Sequence, residues 1–397
     1  MARDEVVILG VGMHPWGKWG QNFVEYGVAA ARAALADAGV AWTDIQFVSG
    51  ACTMRCGYPG YVAGATFAQA LGWNGARIAS SYAACASGSM ALEAARAQIR
   101  SGRCDVALVV GADTTPKGFL APQAGERPND PDWLRFRLLG ATNPTYFALY
   151  ARRRMDLYGT TERDIAEVRV KNAQHGFTNP YARYRQELTV DAVLASNMVA
   201  DPLRLLEICA TSDGGAAVVV ASADYARKKG VTSGVKIAAV STVTPSYPSD
   251  QIEMPDFATD SWAVVPRPGH AFRDSVARAA YEEAGLGPED MSLAEVYDLS
   301  SAMELDWYEQ LGLAEAGEGE RLLHDGVTRL GGRCPVNTSG GLACFGEAVP
   351  AQALAQVCEV TWQLRGTAGP RQVKNAKTGI TANQGLFGHG SSVILTR

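Results

Sequence analysis

AAARAALADAGVAWTD (residues 29–44) and SVARAAYEEAGLGPED (residues 275–290) are the two stretches that decide the fold. Each reads as an alanine-rich amphipathic helix that stops at Ala-Gly. A short turn follows, closed by Asp44 in one and Asp290 in the other, and then an apolar strand. Gly39 and Gly285 fall where a helix C-cap needs positive φ. Two further echoes come in the same order. Asp213-Gly-Gly-Ala-Ala-Val-Val-Val matches His389-Gly-Ser-Ser-Val-Ile-Leu, and Cys85-Ala-Ser-Gly matches Asn337-Thr-Ser-Gly-Gly, each of the latter ahead of a helix. Three echoes in one order indicate a duplicated unit, with halves at 1–230 and 231–397.

Outward from these stretches, apolar β runs alternate with alanine-rich helices. The strands expected are Val6–Leu9, Asp105–Val110, Ala216–Ala221, Val235–Val240, Leu293–Val296 and Ser391–Leu395. Helices are expected at Tyr26–Ala38, Ser89–Ile99, Arg273–Ala284 and Ala351–Leu364. This alternation predicts an α/β protein with sheets covered on both faces. The first half is longer by an insertion, about 114–202, rich in Pro, Asn, Arg and aromatics. It reads as an irregular cap of the kind that covers sites on rigid scaffolds. A Pro-rich stretch from Ser241 to His270 reads as a similar loop in the second half.

Composition removes whole classes of function. The 397 residues are 47% hydrophobic and 19% charged, enough for a large core and far from a disordered composition. With 36 basic against 41 acidic residues and no run of like charge, neither a nucleic-acid surface nor a polybasic membrane anchor is expected. No apolar run reaches the roughly 18 residues of a membrane span. Asp4 and Glu5 interrupt the start, which therefore does not read as a signal peptide. Eight cysteines in so long a chain read as reduced thiols, so a cytoplasmic protein is expected.

Several residues carry candidate chemistry. Cys85 lies at the start of a helical stretch, where the helix dipole is expected to lower its pKa and favour thiolate. The other seven cysteines read as packing. Cys52 and Cys56 lack the further ligands zinc requires, so no metal is expected. Tyr297 and Asp298 end a strand, at the edge where α/β folds bind ligands. Glu347 follows the small-residue stretch Ser339–Gly346, and His389 stands between two glycines. His14, His175, His270 and His324 read as structural or surface residues.

The chain resembles the thiolase superfamily, specifically the sterol-carrier-protein-x-type thiolases and actinobacterial lipid-transfer proteins. The likeness rests on Ile8-Leu-Gly-Val-Gly-Met, Cys85-Ala-Ser-Gly-Ser, Lys171-Asn-Ala-Gln-His, Asp201-Pro-Leu-Arg-Leu and Thr211-Ser-Asp-Gly-Gly-Ala-Ala. It continues through Ala294-Glu-Val-Tyr-Asp, Gly331-Gly-Arg-Cys-Pro-Val-Asn-Thr-Ser-Gly-Gly-Leu and Trp362-Gln-Leu-Arg-Gly. The resemblance implies a five-layered αβαβα sandwich of two duplicated halves, usually a homodimer. It also implies an acyl-CoA substrate, with CoA as part of that substrate and no tightly bound cofactor.

Two departures from that pattern bear on the chemistry. A working thiolase of this type has His-Asp-Cys-Phe where this chain has Tyr297-Asp298-Leu299-Ser300, and Gly-His-Pro where it has Gly346-Glu347-Ala348. Cys85 matches the nucleophile, but both activating histidines are replaced. Tyrosine at 297 resembles a subgroup of retro-aldolases that shorten steroid side chains as CoA thioesters. Such enzymes resemble complexes in which a small OB-fold, zinc-ribbon protein binds the thiolase-like subunit. Some of them carry a second tyrosine after the Gly-Glu-Ala element, where this chain has Val349.

The exchange has a physical logic. Thiolysis needs an activated thiolate to attack a ketone, whereas retro-aldol cleavage needs a base for a β-hydroxyl proton and a hole for the departing enolate. Tyr297 is the expected base and Glu347 its polar partner. A tyrosine would need neighbouring positive potential to act near neutrality, which His389 could supply. His389 or the Gly390 N–H could otherwise serve the oxyanion hole, and Cys85 could persist as a position lining it. The alternatives are an acyltransferase of acetyl-CoA acetyltransferase type working through Cys85, since some also carry Val-Tyr-Asp-Leu, and a non-catalytic lipid-transfer subunit.

Overall fold

The computed structural model describes residues 5–52, 62–115, 143–231, 234–244, 272–385 and 389–397. Cys56, His270, most of the Pro-rich stretch after Ser241 and residues 116–142 of the insertion lie outside them.

Eleven strands and twelve α-helices are described. The first half supplies β1 (Val6–Gly17), α1 (Phe23–Ala38), β2 (Phe47–Ala51), α2 (Ala63–Leu71), β3 (Arg77–Ser81), α3 (Ser87–Arg100) and β4 (Val106–Thr114). The insertion follows with α4 (Asn143–Tyr158), α5 (Glu162–Gly176), α6 (Val190–Leu194) and a small hairpin, β5 (Met198–Ala200) and β6 (Leu203–Arg204). Next come β7 (Asp213–Ser222), α7 (Ala223–Lys228), β8 (Lys236–Val243), α8 (Phe272–Ala284) and β9 (Leu293–Glu295). The chain ends with α9 (Ser301–Gln310), α10 (Gly319–His324), α11 (Gly341–Phe345), α12 (Gln352–Arg365), β10 (Thr378–Gln384) and β11 (Gly390–Thr396).

The two opening stretches fold alike. In each, a helix is followed by a glycine at positive φ (Gly39 at 62°, Gly285 at 65°), a 3-10 turn (Trp42–Asp44 or Pro288–Asp290), and a strand. The strand order is β3-β2-β4-β7-β1-β8-β11-β10-β9. Outward from the centre, β1-β7-β4-β2 and β8-β11-β10-β9 repeat one pattern: two antiparallel pairings, then a parallel one. The two sheets join through Val7 opposite Lys236.

The architecture is a five-layered αβαβα sandwich. α1 and α2 cover one sheet, α8 covers the other, and α3 and α12 fill the middle, touching strands of both. A Cβ at Gly10 or Gly12 of β1 would lie 2.3 Å from the carbonyl oxygen of Ala34 or Ala30, so glycine is what lets α1 rest directly on the strand. Strands β4 and β7 are buried on both faces, as the continuous apolar runs at Val106–Val110 and Ala216–Ala221 require. Among the described residues no helix is long and apolar enough to cross a membrane.

Two expectations need correcting. The described part of the insertion is not irregular: it forms three helices, of which α4 and α5 pack on α9 and α10 while α6 packs on α5. Buried Arg154 of α4 pairs with Asp306 at 2.8 Å, Glu320 at 2.7 Å and Glu309, pinning the insertion to the second half. Four strands also escape the sequence pattern: β3 and β10, whose Ser, Gly, Thr and Asn content reads as loop, and the short hairpin strands β5 and β6.

Candidate active site

Cys85 sits in a 3-10 turn, Ala84–Ala86, between β3 and α3. Ala84 has φ of 46°, left-handed backbone that costs a residue with a Cβ about 1–2 kcal/mol. Ser87 holds the turn in place: its Oγ accepts from Ala83 N–H at 2.9 Å and donates to the Ala84 carbonyl at 2.6 Å. The turn projects the thiol toward residues of the second half.

Tyr297 follows β9, and Trp307 Nε1 donates to its carbonyl at 2.9 Å. Asp298 accepts the N–H groups of Leu342 at 2.7 Å and Ala343 at 3.2 Å, and Asn172 Nδ2 at 3.1 Å. It thereby fixes α11, whose end leads through Gly346 (φ 74°) into Glu347. The Glu347 backbone is locked on both sides, its N–H to Ala210 O at 2.6 Å and its carbonyl to Ser212 N–H at 2.8 Å.

The three side chains converge on one carboxylate oxygen. Cys85 Sγ donates to Glu347 Oε1 at 2.9 Å, and the Tyr297 hydroxyl donates to the same Oε1 at 3.0 Å. Tyr297 and Cys85 also touch each other. Cys85, Tyr297 and Glu347 are all at least 95% buried. Burial, reinforced by the negative Glu347, pushes the Cys85 thiol well above its ordinary pKa. The expectation of a helix-stabilised thiolate is therefore reversed. A helix N-terminus offers at most about 2 kcal/mol, while burying an ion costs several kcal/mol. Tyr297 is likewise pushed well above its usual range, first by burial and then by Cys85 and Glu347. Both groups keep their protons and act as donors.

His389 is placed by one hydrogen bond and Gly390 by its strand pairing. His389 Nε2 bonds the Ala83 carbonyl at 2.8 Å, so it supports the Cys85 turn. Gly390 opens β11 opposite Gln384 and Val243. Sequence reasoning also passed over Cys209, which it had assigned to packing. A bridge between Ile208 and Ser300 and another between Thr211 and Glu347 carry this thiol to the site. Burial and the charges of Glu347 and Asp298 push its pKa well up. Only long-range pairing places it there, so no local motif marks it.

Behind the site lies a buried polar scaffold drawn from the Lys171-Asn-Ala-Gln-His stretch. Lys171 Nζ pairs with Glu304 at 2.7 Å and donates to Val336 O at 2.7 Å. Asn172 and Asn337 also donate to Glu304, at 2.6 and 2.8 Å. Burial drives the His175 pKa well down, so its ring is neutral. Leu330 N–H donates to Nε2 at 3.1 Å, which leaves Nδ1–H to donate to Asn337 O at 3.0 Å. His175 is a structural residue.

Comparison with known proteins identifies the family and the fold. Residues 6–224 match the thiolase N-terminal domain and residues 266–397 the thiolase C-terminal domain-like family. The chain is 34% identical to an acetyl-CoA acetyltransferase of Methanothermobacter thermautotrophicus, over 98% of each protein. It is 33% identical to sterol carrier protein 2 of Rattus norvegicus, over 96% of this chain and 70% of that one. A solved structure, the Ltp2-ChsH2(DUF35) aldolase, superposes with a TM-score of 0.81 at 25% identity, covering 100% of this chain and 98% of that one.

Proposed function

The chain belongs to the thiolase superfamily, in its sterol-carrier-protein-x-type branch, and from that premise we propose that it is a retro-aldolase cleaving a carbon–carbon bond of a β-hydroxyacyl-CoA. The observation that carries the reading is the single oxygen, Glu347 Oε1, shared by the Tyr297 hydroxyl and a protonated Cys85 thiol. A thiol held protonated by burial and by a neighbouring carboxylate is a poor nucleophile. A phenol hydrogen-bonded to that carboxylate is a good proton relay.

In the proposed step the substrate β-hydroxyl gives its proton to the Tyr297 oxygen as Tyr297 passes its own to Glu347. The Cα–Cβ bond breaks, its electron pair stays on the thioester carbon as an enolate, and the hydroxyl carbon leaves as a carbonyl. Return of the proton to the enolate carbon resets the carboxylate. Thus Glu347 is the ultimate base and Tyr297 the group facing substrate, which removes the need for a cation at His389. His389 keeps the Cys85 turn in shape, and the Gly390 N–H remains a candidate for the enolate hole.

The superposed aldolase supports the reaction class and, through its ChsH2(DUF35) component, a small OB-fold, zinc-ribbon partner for this chain. The proposed acyl group is bulky and of steroid type, on the resemblance of Tyr297 to the steroid side-chain retro-aldolases and with sterol carrier protein 2 among the relatives. A homodimer fits the unpaired outer edge of β3, where Ile78 is exposed. The seven described cysteines are free thiols, which supports a reducing cytoplasm. The second reading, acyl transfer through Cys85, is favoured by the acetyl-CoA acetyltransferase relative.

The test is co-expression with a small OB-fold protein, followed by assay with a β-hydroxyacyl-CoA and separately a β-ketoacyl-CoA. Cleavage of the hydroxy substrate that survives Cys85→Ala and disappears in Tyr297→Phe supports the aldolase. An acyl adduct on Cys85, seen by intact mass after exposure to acyl-CoA, together with activity lost in Cys85→Ala, overturns it in favour of acyl transfer.

A further inference from the structure

The central layer between the two sheets contains polar side chains that nothing in the proposed proton relay uses. Asn383 of β10 and Ser391 of β11 are cross-strand partners, so their side chains rise from one face about 5 Å apart. Asn383 Nδ2 donates to Gln356 Oε1, which identifies that face as the one toward α12. Gln352 lies four residues earlier on the same face of α12. Ser89 belongs to the first turn of α3, packed against α12 so closely that a Cβ at Gly88 would lie 3.0 Å from Leu354. Glu93, four residues further along α3, lies beside Thr242, and Thr242 is the cross-strand partner of Ser391 on β8. Five elements thus turn polar groups toward one interior region.

Most of this hydrogen-bonding capacity is unspent. Ser89 Oγ, Gln352 Oε1 and Nε2, Asn383 Oδ1 and Ser391 Oγ have no hydrogen-bond partner among the described residues, although all four residues are at least 98% buried. A buried polar atom left alone costs about 1–3 kcal/mol, and five such atoms gathered in one region call for a partner. An interior that kept them for packing alone would have gained stability by exchanging them for Leu, Val or Ala.

Their place along the chain is equally telling. Ser89 lies four residues after Cys85, Gln352 five after Glu347 and Ser391 two after His389. The Ala84–Ala86 turn that carries Cys85 packs on both α12 and β10. The polar region is therefore directly continuous with the candidate site.

We propose that Ser89, Gln352, Asn383 and Ser391 form an acyl-binding subsite that recognises neutral oxygen functions, hydroxyl or carbonyl, on the part of the substrate remote from the thioester. Hydroxyls and amides both give and accept hydrogen bonds, which suits such groups. The Glu93 carboxyl at the far end disfavours an anionic acyl terminus. The inference rests on the acyl-CoA reading above and deepens it from a β-hydroxyacyl-CoA to one with an oxygenated acyl body.

The test compares two substrates of equal chain length: a straight-chain β-hydroxyacyl-CoA, and the same chain carrying a second hydroxyl near its far end. Binding of each to the Tyr297→Phe protein is measured by calorimetry, so that it is read independently of turnover. The oxygenated acyl-CoA is expected to bind about tenfold more tightly, the worth of one to two net hydrogen bonds. Gln352→Leu and Ser391→Ala should each remove most of that preference, read as the ratio of the two affinities in the same variant. Equal binding of the two chains overturns the inference and assigns the region to internal water. So does a preference that survives both substitutions. If the oxygenated chain binds preferentially but wild-type protein beside its partner cleaves neither, the aldolase reading fails and the subsite stands.

Discussion

A single carboxylate oxygen accepting from both a thiol and a phenol makes the two donors separable by mutation. Tyr297→Phe removes the group that meets the substrate hydroxyl and should lower kcat by about 10²–10⁴, the usual worth of general acid–base catalysis. Cys85→Ala removes a thiol that the relay does not require and should cost less than about tenfold. Steady-state kinetics on one β-hydroxyacyl-CoA reads both, and a larger loss in Cys85→Ala than in Tyr297→Phe rejects the relay. The raised Cys85 pKa makes a second statement. A thiol is reactive only as thiolate, and that form appears as pH rises through the pKa. In folded protein, alkylation of Cys85 should stay slow up to about pH 9 while half-buried Cys52 is modified. Peptide mass spectrometry after timed iodoacetamide exposure checks this; prompt labelling at Cys85 near neutrality would show an activated nucleophile instead.

Among the elements, α11 is the shortest piece with the greatest effect on the site. It has five residues, and Asp298 holds its first N–H groups. Asp298→Ala frees those donors and the buried Asn172 amide together, with an expected loss of about 2–4 kcal/mol. Because Glu347 hangs from the end of this helix, kcat should fall as well. Urea unfolding and turnover on one preparation measure both, and an unchanged midpoint would mean that α11 is held by other contacts.

The elements also show how far the sequence could be read. The two copies of helix, glycine cap, turn and strand were visible because periodicity and a left-handed glycine are local signals. β3 was not: Arg-Ile-Ala-Ser-Ser is an exposed edge strand with no apolar alternation, and its pairing with β2 is set by register. Tyr297 and Glu347 could be singled out as substitutions in an otherwise matching family pattern. Their meeting at one oxygen could not be foreseen, since it depends on α11 and on the Thr211–Glu347 bridge. The helix dipole at Cys85 was correctly located but outweighed by burial, a tertiary quantity that local sequence does not carry.

At the scale of the whole molecule, the interior holds more carboxylates than it can comfortably ionise. Glu295, fully buried, shares Thr338 with Glu359, and Glu359 is paired to Arg371 at 2.8 Å. Burial, and then the Glu359 charge, raise the Glu295 pKa from 4.5 to about 7. The folded protein therefore keeps a proton that the unfolded chain has lost between those values. Stability declines from about pH 4.5 to about pH 7 on account of this group and levels off above. Glu295→Gln should flatten that decline by about 1–3 kcal/mol, as read from urea midpoints at pH 5 and pH 8. A variant whose pH dependence matches wild type would show that Glu295 is ionised throughout.

The hydrogen bond from Cys85 to Glu347 spans 262 residues. Such a contact is among the last a chain can make, since the long loop it closes carries an entropy cost that earlier structure must first reduce. During synthesis a first half that has already folded holds Cys85 with neither Tyr297 nor Glu347 yet available. A nascent or truncated chain consequently carries an ordinary thiol and no relay. Catalysis and thiol protection switch on together when the second half docks, so enzymatic activity in a cell extract counts finished molecules rather than synthesised ones.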